Sequence, residues 1–583
     1  MPAGGEAGRG WWLHPPAGEV ALALAAALEL PLSVAQVLCN RGFGELERAR
    51  RFLEPRLAQL TPPTEMAGLQ LGVDRLAHAV RRGELIGVFG DYDVDGVSAA
   101  AVLGDYLRAC GATVRLRAAR RDEGYGLHPA QARELVDAGA RVLLLADCGT
   151  ADRDAVEAAT TAGADVVAID HHRVLAGDWP GLALINPQRP DCGFAYKGLC
   201  SAGLAFYFTG ALRRVLADER QQLPDPRAGL DLVALGTVAD VAPLDGINRI
   251  LVACGLARMA ETTRPGLREL LRLADLEGRA VGAEDVAWRL GPRLNAPGRL
   301  GDAALALEAL AERDVGRAVA AARRCDALNG ERKALQERLL AEARAQLQAQ
   351  GERSFHLVAS EGWHPGVIGI VAGRLAGERR RPVAVVAIEG ELGRGSVRSV
   401  PGLDLVEVLG ASAGALLRFG GHAAAAGFSV ERRQLPALAE ALEQATAGRL
   451  AALEAPRLSV DAVVGLEIID ERLCAALARL APFGMSNAEP VFAAAALEVL
   501  SARPVGTGHL ALTLRQGEGR PQPAIAFGFN RPPPAVGERV DVAFVPELDT
   551  YRGRGPRLRV QALVPAGEGI GAGVAGHAVR GIG

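Results

Sequence analysis

The chain has 583 residues, 49% of them apolar and 23% charged, with a formal net charge of −3. At about 150 residues per domain the length suggests three or four domains, and the composition excludes a wholly disordered or collagen-like chain. No uninterrupted apolar run reaches about 18 residues, so no membrane-spanning helix is expected. The longest run, Val20 to Leu32, contains Glu29 and Pro31 and lacks a basic leader, so it does not read as a signal peptide. The 8 cysteines are scattered singly with no CxxC pair, the pattern of a reduced, cytoplasmic protein. Of the 65 basic residues only Lys197 and Lys333 are lysine. The balanced total does not exclude a nucleic-acid partner, because local patches set that affinity.

Residues 1–80 read as a helical, Ala/Leu-rich region. Between 81 and 300 four short apolar runs each end in polar residues. Leu85 to Phe89 runs into Gly-Asp-Tyr-Asp-Val-Asp-Gly, Val142 to Ala146 into Asp147-Cys148-Gly149, Val166 to Ile169 into Asp170-His171-His172, and Leu182 to Ile185 into Asn186-Pro187. Helical stretches such as Val97 to Cys110 separate most of them, so a parallel sheet with helices on both faces is expected. Ligands of such sheets sit beyond the carboxyl ends of the strands. Residues 301–352 read as a helical connector interrupted at Gly316 and Asn329-Gly330. Residues 353–450 read as a second α/β domain, and 455–565 as a small β-barrel of short strands between Gly and Pro. The Gly-rich stretch 566–583 reads as a disordered tail.

The chemistry concentrates in four clusters. Asp91, Asp93 and Asp95 alternate around a tight turn closed by Gly96, Asp147 ends the next strand, Asp170, His171 and His172 end the third, and Asp240 follows the helical stretch Leu230 to Ala239. So many anions in one place are costly unless cations neutralise them. Oxygen ligands with one or two imidazoles suit Mn²⁺ or Mg²⁺ better than a thiolate zinc site. Taken singly, each has a plainer reading: Asp91 as the cap of the following helix, either histidine as an ordinary surface or core residue, Asp240 as a turn residue. A calcium loop of the EF-hand type is excluded, because its closing Glu is missing and an apolar helix continues instead.

The segments Gly90–Gly96, Asp147-Cys148-Gly149-Thr150, Asp170-His171-His172 and Gly236-Thr237-Val238-Ala239-Asp240 resemble the four phosphoesterase motifs of the DHH family. Gly362–Val371 and Gly420-Gly421-His422 resemble its associated second domain. Gly291–Leu300 and Pro482–Phe492 are similar to the bacterial single-strand-specific exonuclease branch of that family. The likeness spans about residues 11 to 564.

This resemblance implies a fold of two α/β domains joined by a long helix, with an OB-like barrel closing a passage too narrow for duplex. It implies a 5′→3′ exonuclease acting on single-stranded DNA in recombination and repair, with two Mn²⁺ or Mg²⁺ ions. Asp93, Asp95, Asp147, His171 and Asp240 would bind them, with Asp91 and His172 close by. The wider family often has a His ahead of the aspartates, where this chain has Phe89 and Gly90. Two metals about 4 Å apart activate water and polarise the scissile phosphate. A pocket for the terminal 5′-phosphate would use Arg120, Arg299, Ser396, Arg398 and His422. Guanidinium forks suit a dianionic phosphate, and the two glycines before His422 permit close backbone approach. His364 would do likewise or only shape its loop. Implied partners are a single-strand-binding protein and a RecQ-type helicase, and the expected state is a monomer.

Between Ser501 and Val560 lie 9 Arg against 5 acidic residues, with Phe527, Phe529 and Tyr551 among them. That mixture fits a single-strand stacking platform, although Phe527 as a core residue is an equal reading. Two alternatives remain: the same chemistry on cyclic dinucleotides, short oligonucleotides or pyrophosphate, and a non-enzymatic replication scaffold. The long connector and barrel argue against the first, and the complete set of carboxylates against the second.

Overall fold

The computed structural model describes residues 10–120, 123–124, 126–217, 222–453, 457–506, 508–549 and 555–570. The chain divides into two compact units, one of residues 55–334 with 482–488, the other of residues up to 54, 335–481 and from 489 onward.

The first unit is built on a five-stranded parallel sheet. Its strand order is Val114–Ala118, Ile86–Gly90, Val142–Ala146, Asp165–Ile169, Ala183–Ile185. Strands Ile86–Gly90 and Val142–Ala146 are buried throughout, which is why their sequences read as unbroken apolar runs. Alternate side chains serve two cores. Val88, Leu144, Val167 and Ile185 pack with Leu103, Leu204 and Phe208 on one face. Phe89, Leu143, Leu145 and Val166 pack with Leu135 and Val156 on the other. Truncating one of these buried leucines to Ala costs about 2–5 kcal/mol.

Strand Val114–Ala118 is a correction to the four strands expected. Its Arg115 and Arg117 break the apolar run because it is an edge strand, and Arg117 pairs with Glu123 and Glu134 at 2.9 and 2.5 Å. The register aligns Gly90 with Ala118 and Ala146, Ala146 with Ile169, and Ile169 with Ile185. The strands therefore stop level, and Asp91, Asp147, Asp170 and Asn186 follow along one edge. Because the chain's later strands flank Ile86–Gly90 on opposite sides, the carboxyl end of that strand is a topological switch point, where such sheets open a crevice.

The helix Val315–Gln350 runs 36 residues without a break. The expected interruptions at Gly316 and Asn329-Gly330 do not occur. Gly330 costs only helix propensity, about 1 kcal/mol, while buried Asn329 accepts from Arg332 Nη2 at 3.0 Å.

In the second unit, a mixed sheet runs in the order Arg418–His422, Ala425–Glu431, Leu392–Arg398, Val383–Glu389, His356–Glu361, parallel only between the last two. The remaining β-structure is a closed five-stranded barrel of Phe492–Val505, His509–Arg515, Gln522–Ala526, Pro556–Pro565 and Arg539–Leu548. The N-terminal region, read as helical, also supplies a strand, since Trp11–Leu13 pairs in parallel with Leu458–Val460. Part of the expected tail is ordered: Asp541 Oδ2 accepts the N–H groups of Gly567 and Ile570 at 2.9 and 3.1 Å, and Ile570 is buried. Residues 571–583 lie outside the described residues.

Candidate metal centre

The turn after strand Ile86–Gly90 folds back so tightly that a Cβ on Gly96 would lie 2.6 Å from the Asp91 carbonyl oxygen. Only glycine fits there, and the turn delivers the chain into helix Val94–Ala109. Asp93, not Asp91, caps that helix, accepting Gly96 N–H at 3.0 Å. This corrects the single-residue reading of Asp91. Asp91 is wholly buried, and neither carboxylate oxygen has a hydrogen-bond partner.

Asp147 follows strand Val142–Ala146 in the left-handed region, at φ 65°, and Val241, directly after Asp240, has φ 59°. Non-glycine residues held there are strained and gather at functional sites. Asp95 is buried in the first turn of its helix. Its two oxygens accept the backbone N–H of Ala202 and Ser201, at 2.9 and 2.7 Å, from the start of helix Ser201–Ala217. The Ser201 hydroxyl donates to Asp147 Oδ1 at 2.9 Å.

His171 Nε2 stands among three carboxylates, 3.2 Å from Asp147 Oδ1 and 3.9 Å from both Asp95 Oδ2 and Asp240 Oδ2. Three groups each bring ligand atoms within 4.8 Å of one another: Asp147 with His171 and His172, Asp95 with His171 and Asp240, and Asp91 with Asp93 and Asp147. The structure thus brings together all seven residues expected to bind metal.

The electrostatics follow from burial. Desolvation, then repulsion from Asp93, pushes Asp91 up to about 8. Desolvation, then Asp95 and Asp93, pushes Asp240 up to about 8. Burial and the neighbouring carboxylates carry Asp147 well above the usual carboxylate range, and burial raises Asp95. Asp170 behaves oppositely. Burial would raise it, but its hydrogen bond and charge pairing with His172 hold it well below the usual range. Asp170 Oδ1 meets His172 Nδ1 at 2.7 Å. Burial opposes the charged imidazole, yet Asp170 raises His172 to about 9.

Of the expected phosphate contacts, two belong to this unit. The N–H of Ala119, just before Arg120, donates to the carbonyl of Gly90, just before Asp91, at 2.8 Å. Arg120 Nη1 lies 3.9 Å from Asp302 Oδ2, three residues beyond Arg299. A Cβ on Gly298 would lie 2.6 Å from the Tyr92 carbonyl, so helix Gly291–Leu300, which carries Arg299, abuts the aspartate turn.

Ser396, Arg398 and His422 belong to the second unit. Ser396 Oγ and Arg398 Nη1 are 3.1 Å apart. A Cβ on Gly369, in the first turns of helix Pro365–Arg379, would come within 3.0 Å of Ser396 Oγ and 3.2 Å of Arg398 Nη2. Burial lowers the Arg398 pKa. A guanidinium and a hydroxyl beside a helix N-terminus form an anion-binding arrangement. His364 caps that helix, accepting Gly366 N–H at Nδ1, 3.0 Å away, and so shapes the loop. His422 ends the exposed strand Arg418–His422. On the barrel, Phe527 is 41% exposed, which removes the core reading, and packs edge-on to His509. Arg531 lies over Phe529 at 5.1 Å. Tyr551 lies outside the described residues.

The sequence reading missed Ser201, Thr150 and Asn186. Asn186 Nδ2 donates to Thr150 Oγ1 at 3.0 Å and to the His172 carbonyl at 2.8 Å, and the Thr150 N–H donates to Asp170 Oδ2 at 3.0 Å. A Ser opening an apolar helix is a capping signal, but nothing in its spacing points to Asp147.

Three family models match the chain: the DHH family N-terminal domain over residues 85–237, the DHHA1 domain over 352–448 and the RecJ OB domain over 460–562. The chain is 35% identical to the single-stranded-DNA-specific exonuclease RecJ of Salmonella typhimurium, covering 90% of this chain and 94% of that protein. It is 33% identical to the RecJ of Bacillus subtilis, over 89% of this chain and 66% of that longer protein. Among solved structures, RecJ in complex with Mn²⁺ from Thermus thermophilus is similar with a TM-score of 0.81 at 32% identity, over 95% of this chain and 79% of that one.

Proposed function

Because the chain belongs to the RecJ family of DHH phosphoesterases, we propose that it is a metal-dependent exonuclease that degrades single-stranded DNA from the 5′ end to mononucleotides. The observation that carries this reading is the set of four pKa-raised carboxylates and two imidazoles at the switch point of the parallel sheet.

The residues fit the divalent cations of the solved relatives, Mn²⁺ and Mg²⁺. Asp91 keeps two buried oxygens without hydrogen-bond partners, and the donor set is oxygen-rich with imidazole nitrogen. Asp93, Asp95, Asp147, His171 and Asp240 would hold the ions, with Asp91 and His172 at the margin. Two bound cations lower the pKa of water, polarise the scissile phosphate and offset charge on the leaving oxygen.

The chain's own residues do the rest. Ser201 and Ala202 fix both oxygens of Asp95 through backbone N–H groups, and the Ser201 hydroxyl orients Asp147. Asp170 orients the His172 ring through Nδ1, the nitrogen that also lies 3.9 Å from Asp147 Oδ1. Arg120 and Arg299, beside the aspartate turn, would contact the terminal phosphate, and Ser396, Arg398 and His422 are the candidate phosphate contacts of the second unit. Phe527 and Phe529 on the barrel would stack bases.

We assign residues 81–300 to the catalytic DHH domain, 353–450 to the DHH-associated domain and 455–565 to the OB-like module. A cytoplasmic monomer working beside a single-strand-binding protein and a RecQ-type helicase completes the proposal. No single helix among the described residues is long and apolar enough to cross a membrane.

The test is digestion of a long 5′-phosphorylated single strand, a blunt duplex of the same sequence and a dinucleotide. Mononucleotide release from the 5′ end of the strand, with the duplex spared, is expected. Degradation of the blunt duplex without a helicase, or faster turnover of the dinucleotide, would overturn the assignment.

A further inference from the structure

Among the described residues, Asp152 is a carboxylate beside the centre that neither the metal groups nor a salt bridge employs. It precedes helix Arg153–Thr161 without capping it. Its Oδ2 instead accepts two N–H groups from separate segments: Gly149, two residues past Asp147, at 2.9 Å, and Leu127 at 3.0 Å. The second approach is so close that a Cβ on Gly126 would lie 2.5 Å from Oδ1 and 2.7 Å from Oδ2, and Gly126 has φ +77°.

The chain that arrives at Gly126 and Leu127 starts from Arg120. At that end, Ala119 donates to the Gly90 carbonyl at 2.8 Å. Next along, Glu123 N–H bonds the Arg120 carbonyl at 3.1 Å, and the Glu123 carboxylate takes Arg117 Nη2 at 2.9 Å and Gln131 Nε2 at 2.5 Å. At the far end the anchor is Asp152 alone among the described side chains that bond Leu127 N–H. Gly149, at φ +102°, is fixed in turn by Trp179, whose Nε1 donates to its carbonyl at 2.9 Å. One carboxylate oxygen therefore ties the loop of Asp147 to Gly126 and Leu127, six and seven residues after Arg120 in the sequence.

We infer that Asp152 is a positioning residue that sets the distance between the Arg120 phosphate grip and the metal centre, and thereby the preference for phosphorylated 5′ ends. This rests on the reading of Arg120 as a terminal-phosphate contact. An oxygen shared between two backbone donors transmits any shift of one loop to the other. Displacing a reacting group by about 1 Å costs on the order of a hundredfold in rate.

The experiment measures kcat and KM on matched strands carrying a 5′-phosphate or a 5′-hydroxyl. Arg120→Ala is expected to abolish the preference for phosphate. Asp152→Ala is expected to reduce that preference by about tenfold, the scale of one lost hydrogen bond to a charged group, through KM for the phosphorylated strand. Asp152→Asn, whose carbonyl can accept the same two N–H groups, is expected to keep it. Gly126→Ala, which pushes the carboxylate aside without removing it, is expected to reproduce the loss and serves where Asp152→Ala does not fold. If Arg120→Ala leaves the preference intact, the phosphate-pocket reading fails and the inference with it. If Arg120→Ala abolishes it while Asp152→Ala and Gly126→Ala preserve it, the inference alone is overturned. It is equally overturned if Asp152→Ala slows both strands alike.

Discussion

Two gatherings of acidic groups lie in the same α/β unit, and they are treated oppositely. Arg264 sits between Asp105, on the helix that begins at the metal turn, and Asp231, on the helix that ends at Asp240. Thr262 Oγ1 completes the set, donating to Asp231 at 2.7 Å. Burial would lower the Arg264 pKa, but the two carboxylates raise it. The charges are matched within the chain. At the switch point, Asp91, Asp95, Asp147 and Asp240 have no guanidinium or ammonium partner among the described residues, and all four are pushed up in pKa. A fold able to neutralise buried carboxylates in one place leaves them uncompensated in another because an external cation is meant to arrive there. The first cluster clamps two helices, and the second spends stability on a site.

The comparison breaks most visibly under substitution. Asp147→Ala should lower hydrolysis on the order of a thousandfold or more, since the metal residues act as a unit. It should leave single-strand binding, measured by fluorescence anisotropy, largely intact. The metal-free variant should unfold in urea no more easily than the parent, because a repelled carboxylate has gone. Arg264→Met should do the converse, costing about 3–5 kcal/mol in urea unfolding because it strands two acidic groups inside the fold. If Asp147→Ala is the more destabilising of the two, the contrast is wrong.

Metal addition sharpens the point. At a hundredfold excess over Kd, a bound ion should stabilise the parent by about 2.7 kcal/mol per site, and Asp147→Ala should lose most of this in thermal unfolding with and without Mn²⁺.

The smallest effect is the pH dependence. With Asp91 and Asp240 raised to about 8, the metal-free fold binds more protons than the unfolded chain across the range from their ordinary pKa values to about 8. Its stability therefore falls as pH rises through that window, and is fully restored below it. Metal binding displaces those protons and the one His172 holds up to about 9, so Mn²⁺ affinity should rise with pH and level off above about 9. Calorimetry in buffers of different ionisation enthalpy reads the protons released, and a pH-independent affinity would contradict the assignment.

Much of this was legible in the sequence because strand ends and metal residues coincide. An apolar run that stops at an aspartate predicts both the strand and the place of the carboxylate, so Asp91, Asp147 and Asp170 announce themselves. Strand Val114–Ala118 was hidden because an edge strand admits alternating arginines. The helix continued through Asn329-Gly330 because the Asn329 amide is satisfied by Arg332, which no local propensity reveals. Ser201 and Asp152 escaped for a common reason. Each acts through backbone or side-chain groups distant in sequence, 54 residues for Ser201 to Asp147 and 25 for Leu127 to Asp152. Asp91 and Asp93 exchanged roles because capping depends on the exact turn, which residue types alone do not fix.

The most direct test is a calorimetric titration of metal-free protein with Mn²⁺ at pH 8. The account predicts two ions bound per chain in the parent, and a loss of that binding in Asp147→Ala while the variant remains folded by circular dichroism. No saturable binding in the parent, or the same stoichiometry and affinity in the variant, would contradict it.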